Sequence, residues 1–369
     1  MEAALRSLLA QIRPPDQAAM AAARDRQAQL AKPPGSLGRL EDLFVQLAGI
    51  TGQPCPDLRE KHLLVFAADN GVVAEGVSSA PPSVTLRQSV NLARGVTGAA
   101  VLARRFGCRL TVCDVGIRGT ADHPAILVRK VAPGTGNIAH GPAMTRAQAL
   151  AALETGFTLA AQTPADVLGV GEMGIGNTTT AAAVLAVLLD ADPEEVTGRG
   201  GGLLPEDFRR KKEVIRQAIR CNRPRREDVL DVLAKVGGFD LAAMCGAFLG
   251  GAASGRPVVL DGFPSAVAAL CAFRLCPAVR SYLVPSHASY EVGFRRAMAA
   301  LELRPLLLLD MRLGEGSGCP LAFSLLEAAC AVGRDMATFA QAAIDDEYLD
   351  PIRQGDAFTV ARQEAPWDA

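Results

Sequence analysis

A single carboxylate, Glu315, stands between two glycines in the stretch 306–320, LLLLDMRLGEGSGCP. The four leucines have the pattern of a strand buried on both faces, ending at Asp310, and the apolar run 321–332 has the pattern of a helix. Ligands of open α/β folds bind where strands end and helices begin. An acid at that junction is therefore placed to exchange a proton. The flanking glycines let the backbone take a positive φ and approach a bound molecule closely. Taken alone, the plainer reading is that Glu315 caps the following helix.

A second stretch, GVGEMGIGNTTTAAA (169–183), also follows an apolar run and opens a helix. It has the spacing of a phosphate loop but no GK[ST]. Asn177 and Thr178 are candidate caps, and the free N–H groups at the helix start favour a phosphate or carboxylate. Glu172, in the same turn, should face away from such an anion or toward a hydroxyl or N–H donor. A tight turn with ordinary capping accounts for these residues equally well. In TGRGGGL (197–203) consecutive glycines expose N–H groups as a concave nest, a second anion site. Lys211 could add a cation to the same phosphate, although a lone lysine is more often solvated. His287, in PSHASYE (285–291), has no partner ligand at metal spacing, so a hydrogen-bonding or structural role fits it better. Gln88 falls within a helical pattern and has no signal of its own. Neither a Ser–His–Asp nor a Cys–His nucleophile arrangement can be recognised, and GxSxG is absent.

The elements that must position these residues follow from periodicity. Apolar runs at 63–68, 110–115, 166–170, 257–260, 281–284 and 306–309 read as strands. Helical patterns at 84–106, 146–162, 178–189 and 265–275 separate them. Such alternation implies a mainly parallel sheet with helices on both sides. The interval 205–254 is purely helical, an insertion or extra layer. Residues 1–31 fit one or two amphipathic helices, and KPPGSLG (32–38) is a rigid turn with Ser36 a candidate cap for a helix reaching about residue 47. Beyond about residue 338 the chain is helical and then polar. We expect a small helical subdomain from 1–50 plus 338–369 and a large α/β catalytic domain from 51–337. Five strands stop at polar residues: Asp69-Asn70, the turn at 171–177, Asp261-Gly262, Ser286-His287 and Asp310. Parallel strands would bring all five ends to one rim.

Composition narrows the partners. With a formal net charge of −1 there is no electrostatic case for nucleic acid or an anionic membrane. The basic residues at 209–212 read as a solvated helix face. No uncharged run reaches about 18 residues, so no membrane span is expected. The segment MEAALRSLLAQIRPP does not read as a signal peptide, because Glu2 precedes a short apolar stretch that Arg6 interrupts. Nine scattered cysteines form no CxxC and no zinc spacing; they read as reduced core residues of a cytoplasmic protein.

Together these segments resemble one family, the nicotinate-nucleotide:5,6-dimethylbenzimidazole phosphoribosyltransferases of cobalamin lower-ligand synthesis. The matching stretches are KPPGSLGRLEDLFVQLAGI (32–50), AADNGVVAEGV (67–77), GPAMTRAQA (141–149), GVGEMGIGNTTTAAA (169–183), KVGGFDLAAMCG (235–246), VLDGFPS (259–265), VPSHAS (284–289) and MRLGEGSG (311–318). They run in one order over nearly the whole chain. The resemblance implies a six-stranded, mainly parallel Rossmann-like sheet, a homodimer and transfer of phosphoribose from nicotinate mononucleotide to an aromatic base. It implies no metal and no cofactor. Glu315 becomes the general base. Ala80, Gln88, Met173, Ile175 and Leu313 become base-pocket residues. Phosphate and ribose contacts fall on Glu172, Gly174, Asn177, Gly200, Gly201, Lys211 and Ser289, with Asp261 lining the site. The chain departs from the family pattern at Ala80, where a hydroxyl is common, and at Ile175 and Ala266, where Met and Tyr are common. A smaller, less polar wall implies a base other than, or besides, dimethylbenzimidazole: another benzimidazole, a purine or a phenolic compound.

Two other readings have less support. A non-catalytic nucleotide-binding subunit of a paralogous heteromer gives no reason for a carboxylate between glycines. A dinucleotide-dependent oxidoreductase lacks GxGxxG after the first strand with an acid about 20 positions on.

Overall fold

The computed structural model describes residues 3–351. Among them six parallel strands form one sheet: β1 Lys61–Ala68, β2 Cys108–Gly116, β3 Ile126–Val128, β4 Val167–Met173, β5 Val258–Leu260 and β6 Leu283–Pro285, ordered β3-β2-β1-β4-β5-β6. Helices α1 (Ala3–Leu9), α2 (Gln17–Gln29) and α3 (Arg39–Thr51) precede β1, and α4 (Ser83–Ala93) and α5 (Gly98–Arg105) link β1 to β2. Helix α6 (Arg146–Gln162) leads from β3 to β4. Five helices then separate β4 from β5: α7 (Asn177–Leu189), α8 (Pro193–Val196), α9 (Pro205–Asn222), α10 (Val229–Val236) and α11 (Phe239–Ala253). Helix α12 (Phe263–Leu275) joins β5 to β6, and α13 (Val292–Leu301), α14 (Cys319–Asp335) and α15 (Phe339–Ala342) follow.

The chain divides into two compact units, the described part of Met1–Arg13 with Glu60–Phe323, and Pro14–Arg59 with the described part of Ser324–Ala369. In the first, β1 is the pivot. It pairs in parallel with β2 on one side and β4 on the other, and Leu63–Ala68 are fully buried. The strand order reverses direction between β1 and β4, and a crevice opens at the carboxyl ends of strands at such a switch point. The turns after β1, β4, β5 and β6 therefore meet on one rim.

Helix α11 is buried from Phe239 to Ala252. It crosses α6 at backbone contact. A Cβ on Gly156 would strike the Ala243 carbonyl, and one on Gly246 the Leu153 carbonyl. Small residues at both helices let the axes approach this closely, which propensity alone would not reward.

In the second unit α2, α3 and the later turns of α14 pack through Ala23, Phe44 and Ala48. The Phe44 ring fills the space at Gly333 that a side chain would need. Arg26 donates to the carbonyls of Gly333 (3.0 Å) and Met336 (2.8 Å), satisfying the open end of α14. The part of the expected subdomain beyond residue 351 lies outside the described residues.

Three local expectations fail for physical reasons. The run 306–309 is not a strand: its first two residues follow β6, with Leu306 N–H donating to the Pro285 carbonyl and Leu307 bridging to His287 in parallel, and Leu308 and Leu309 are then 58% and 51% exposed. It lies outside β6, the last strand of the sheet. Asp310, with φ 50°, is exposed and does not line the cavity formed at the rim. The sixth strand is instead the three-residue β3, too short to give a periodic signal. The helix expected over 84–106 breaks into α4 and α5, because Gly95 turns at φ 77° and Thr97 caps α5 by accepting from Ala100 N–H. Ser36 caps nothing; α3 starts after Gly38, and Glu41 accepts the Leu37 N–H instead.

Gly246→Ala should lower stability by about 1–3 kcal/mol through overpacking against α6. Chemical denaturation of the two proteins checks this, and an unchanged midpoint would contradict the close approach.

Candidate active site

The turn from β4 into α7 builds the first wall. Gly176 precedes the helix at φ 91° and provides no side-chain cap. Asn177 and Thr178 do not cap α7 either. They are already helical, and their side chains turn sideways: Asn177 Nδ2 donates to Glu172 Oε2, and Thr178 Oγ accepts from Lys211 Nζ at 2.9 Å. Glu172 thus meets an N–H donor. Burial, reinforced by the nearby carboxylates of Asp240, Asp261 and Glu315, pushes its pKa up to about 8, against the Asn177 bond. Burial likewise raises Asp240 to about 6, although it accepts from Leu241 N–H and Asn70 Nδ2. Gly174 leaves room for Asp240; a Cβ there would sit 2.7 Å from Oδ2.

The Glu315 loop is held from below by Asp261, at the end of β5. Its two carboxylate oxygens accept from Gly316 N–H (3.0 Å) and Gly318 N–H (2.7 Å). Gly171 on β4 has no side chain because the Gly316 backbone occupies that space. Glu315 is fixed at φ 63°, a conformation few side chains adopt, and is only 5% exposed. Its Oε1 accepts from Gln88 Nε2 at 2.6 Å. Its Oε2 is buried without a hydrogen-bond partner among the described residues. An acceptor left open at that depth is suited to a proton arriving with a ligand. His287 is buried, bonded to Ser286 Oγ (3.0 Å) and 3.8 Å from Asp261, so it supports the same loop.

The glycine nest forms the other end. Lys211 is not solvated as a lone lysine would be; it is 1% exposed and donates to Thr178 Oγ and to the Gly198 carbonyl at 3.0 Å. Burial lowers its pKa to about 8, opposed by the charge of Glu291. Gly200 takes φ 57° and donates its N–H to Glu291 Oε1 at 2.8 Å.

A cavity of about 140 Å³ lies among these parts. Of the residues expected from sequence, Glu172, Met173, Gly174, Ile175, Asn177, Gly200, Ser289 and Leu313 line it. Glu315 adjoins it through Gly314 and brings Gln88 with it; Lys211 reaches it through Thr178. Ala80 and Gly201 are not among the lining residues; a Cβ on Gly201 would come within 3.8 Å of Ser79 Oγ. The sequence reading passed over Glu291 and Arg312, which line the cavity too. The available signal for Glu291 was an acid opening a helix six residues after a strand's last apolar position. A larger cavity of about 510 Å³ lies in the helical unit among Met20, Gln27, Lys32 and Glu41. It holds none of the candidate residues, and the chemistry belongs to the strand-end cavity.

Comparison with known proteins identifies the family. A family model described as phosphoribosyltransferase matches residues 12–344, and the chain belongs to that family. A nicotinate-nucleotide–dimethylbenzimidazole phosphoribosyltransferase from Ruminiclostridium cellulolyticum is 49% identical over 329 residues, 88% of this chain and 94% of the relative. One of the same name from Desulforudis audaxviator is 49% identical, covering 94% and 99%. The crystal structure of CobT from Thermus thermophilus superposes with a TM-score of 0.86 at 45% identity, covering 89% of this chain and 99% of that one.

The raised pKa of Glu172 has a consequence for stability. In the folded chain it keeps its proton up to about pH 8, while unfolded it loses it near 4.5. The folded state therefore binds more protons between those limits, and stability falls as pH rises through them. Glu172→Gln, which has no such proton to lose, should lose less stability than the wild type between pH 5 and pH 8. Urea unfolding at both pH values checks this; equal losses would remove Glu172 from the effect.

Proposed function

We propose that this enzyme transfers the 5-phosphoribosyl group of nicotinate mononucleotide to a ring nitrogen of a lower-ligand base, 5,6-dimethylbenzimidazole or a related base, releasing nicotinate. The product is an α-ribazole 5′-phosphate-type nucleotide. The observation that carries the reading is Glu315: a buried carboxylate with one oxygen bonded to Gln88 and the other open, on a loop clamped by Asp261. The chemistry asks for one base and no acid. Nicotinate is already a cationic pyridinium in the mononucleotide, so it departs without protonation. As the attacking nitrogen of the base commits its lone pair, the other ring N–H becomes acidic, and the open Oε2 of Glu315 accepts that proton.

The base lies against Met173, Ile175 and Leu313, with Gln88 orienting the carboxylate. The phosphate sits at the other end, against the Gly200 N–H, Thr178 and Lys211. Protonated Glu172 can donate to a ribose oxygen without repelling the phosphate. Ile175, where the family pattern has Met, alters the base wall, which supports acceptance of bases besides dimethylbenzimidazole. A homodimer is supported by the apolar side chains left exposed at the sheet edge, Tyr290, Val292, Leu308 and Leu309. A cytoplasmic setting is supported by nine unpaired cysteines. No helix among the described residues is long and apolar enough to cross a membrane.

Glu315→Gln should keep the fold and mononucleotide binding but slow transfer on the order of a hundredfold or more. Near-normal turnover by the variant would remove Glu315 from the mechanism. In a mixture of equimolar bases the wild type should form more than one nucleotide product, read by mass spectrometry; a single dimethylbenzimidazole product would defeat the broadened specificity.

A further inference from the structure

Glu291 opens α13 yet caps none of its N–H groups. Its side chain reaches instead into the glycine nest, where Oε1 takes the Gly200 N–H at 2.8 Å. Gly198 has no room for a Cβ because this carboxylate occupies the space. The residue is 8% exposed, and Oε2 has no hydrogen-bond partner among the described residues. It lines the same cavity as Thr178 and Gly200. An internal anion therefore sits where the proposed function puts the phosphate.

Resting on that assignment of the cradle, we infer that the Glu291 carboxylate holds the phosphate position in the free enzyme and surrenders it when the mononucleotide binds. One N–H cannot serve two anions at full strength, and like charges at contact repel. Glu291 must then either swing out of the nest or take up a proton and donate to a phosphate oxygen. Its surroundings keep both routes open. Burial raises its pKa, while Lys211 on α9, the Gly200 N–H and Arg312 on the loop before Gly314 lower it. Glu172 and His287 are the remaining titratable groups of the cavity. With the chain's own carboxylate in the nest, the buried Lys211 keeps a compensating charge near it, and the enzyme's affinity for phosphate is held down to a level that lets product leave.

The test is equilibrium binding of inorganic phosphate by calorimetry at pH 7.5 to the full chain and to Glu291→Gln, Glu291→Asp and Lys211→Ala. Glu291→Gln should bind phosphate on the order of tenfold more tightly, because the competing charge is gone. A gain in affinity is something a merely structural residue would not produce. Glu291→Asp, which keeps the charge on a shorter arm, should bind with intermediate affinity, and it serves in place of the Gln variant should that one fail to fold. Lys211→Ala should weaken binding. If Lys211→Ala weakens binding while neither Glu291 variant tightens it, the placeholder role is overturned and the cradle stands. If Lys211→Ala leaves phosphate binding unchanged, the cradle assignment fails and the role of Glu291 falls with it.

Discussion

The site depends on one carboxylate, Asp261. It lies at the end of β5 and holds two successive turns of the GEGSG loop through Gly316 and Gly318 N–H. Hydrogen bonds to a charged acceptor contribute about 1.5–3 kcal/mol each. The positive φ at Glu315 costs roughly 1–3 kcal/mol. The clamp is therefore large enough to hold the strained residue in place, and without it the loop would relax and carry its carboxylate away. The absence of side chains at Gly171 and Gly316 is part of the same device, since it lets the loop backbone rest directly on β4 and against Leu63 of β1.

That device concentrates negative charge. Glu172, Asp240, Asp261 and Glu315 are all buried near one rim. Leaving all four ionised in a dry interior would cost far more than their hydrogen bonds return. The raised pKa values of Glu172 and Asp240 are the resolution: near neutral pH Glu172 keeps its proton, and the crowding eases.

At the glycine-nest end of the cavity the balance is reversed. Lys211 is a cation in a buried setting, and Glu291 supplies the compensating charge across the Gly198–Gly200 turn without a direct ion pair. The two ends thus handle buried charge in opposite ways. One holds excess anions by protonating one of them, and the other holds a buried cation by placing an internal anion beside it.

Much of this was legible in the chain. Five of the six strands, the helices flanking them and the polar residues at the strand ends follow from apolar runs broken by Asp, Asn and Gly, because alternation of period and turn residues is written locally. Glu315, Glu172 and the glycine nest could be named for the same reason. What the chain could not disclose depends on neighbours distant in sequence. The leucines at 306–309 read as a buried strand, yet only the sheet order shows that they fall beyond its last full strand and lie half exposed. Lys211 reads either as a phosphate contact or as a solvated lysine until α9 is packed on α7, and Glu291 is only an acid at a helix start until its carboxyl meets Gly200, 91 positions away. Residue types and their order determined which chemistry was available; the parallel packing of β1, β4, β5 and β6 decided which of those groups share a cavity and which carry a proton there.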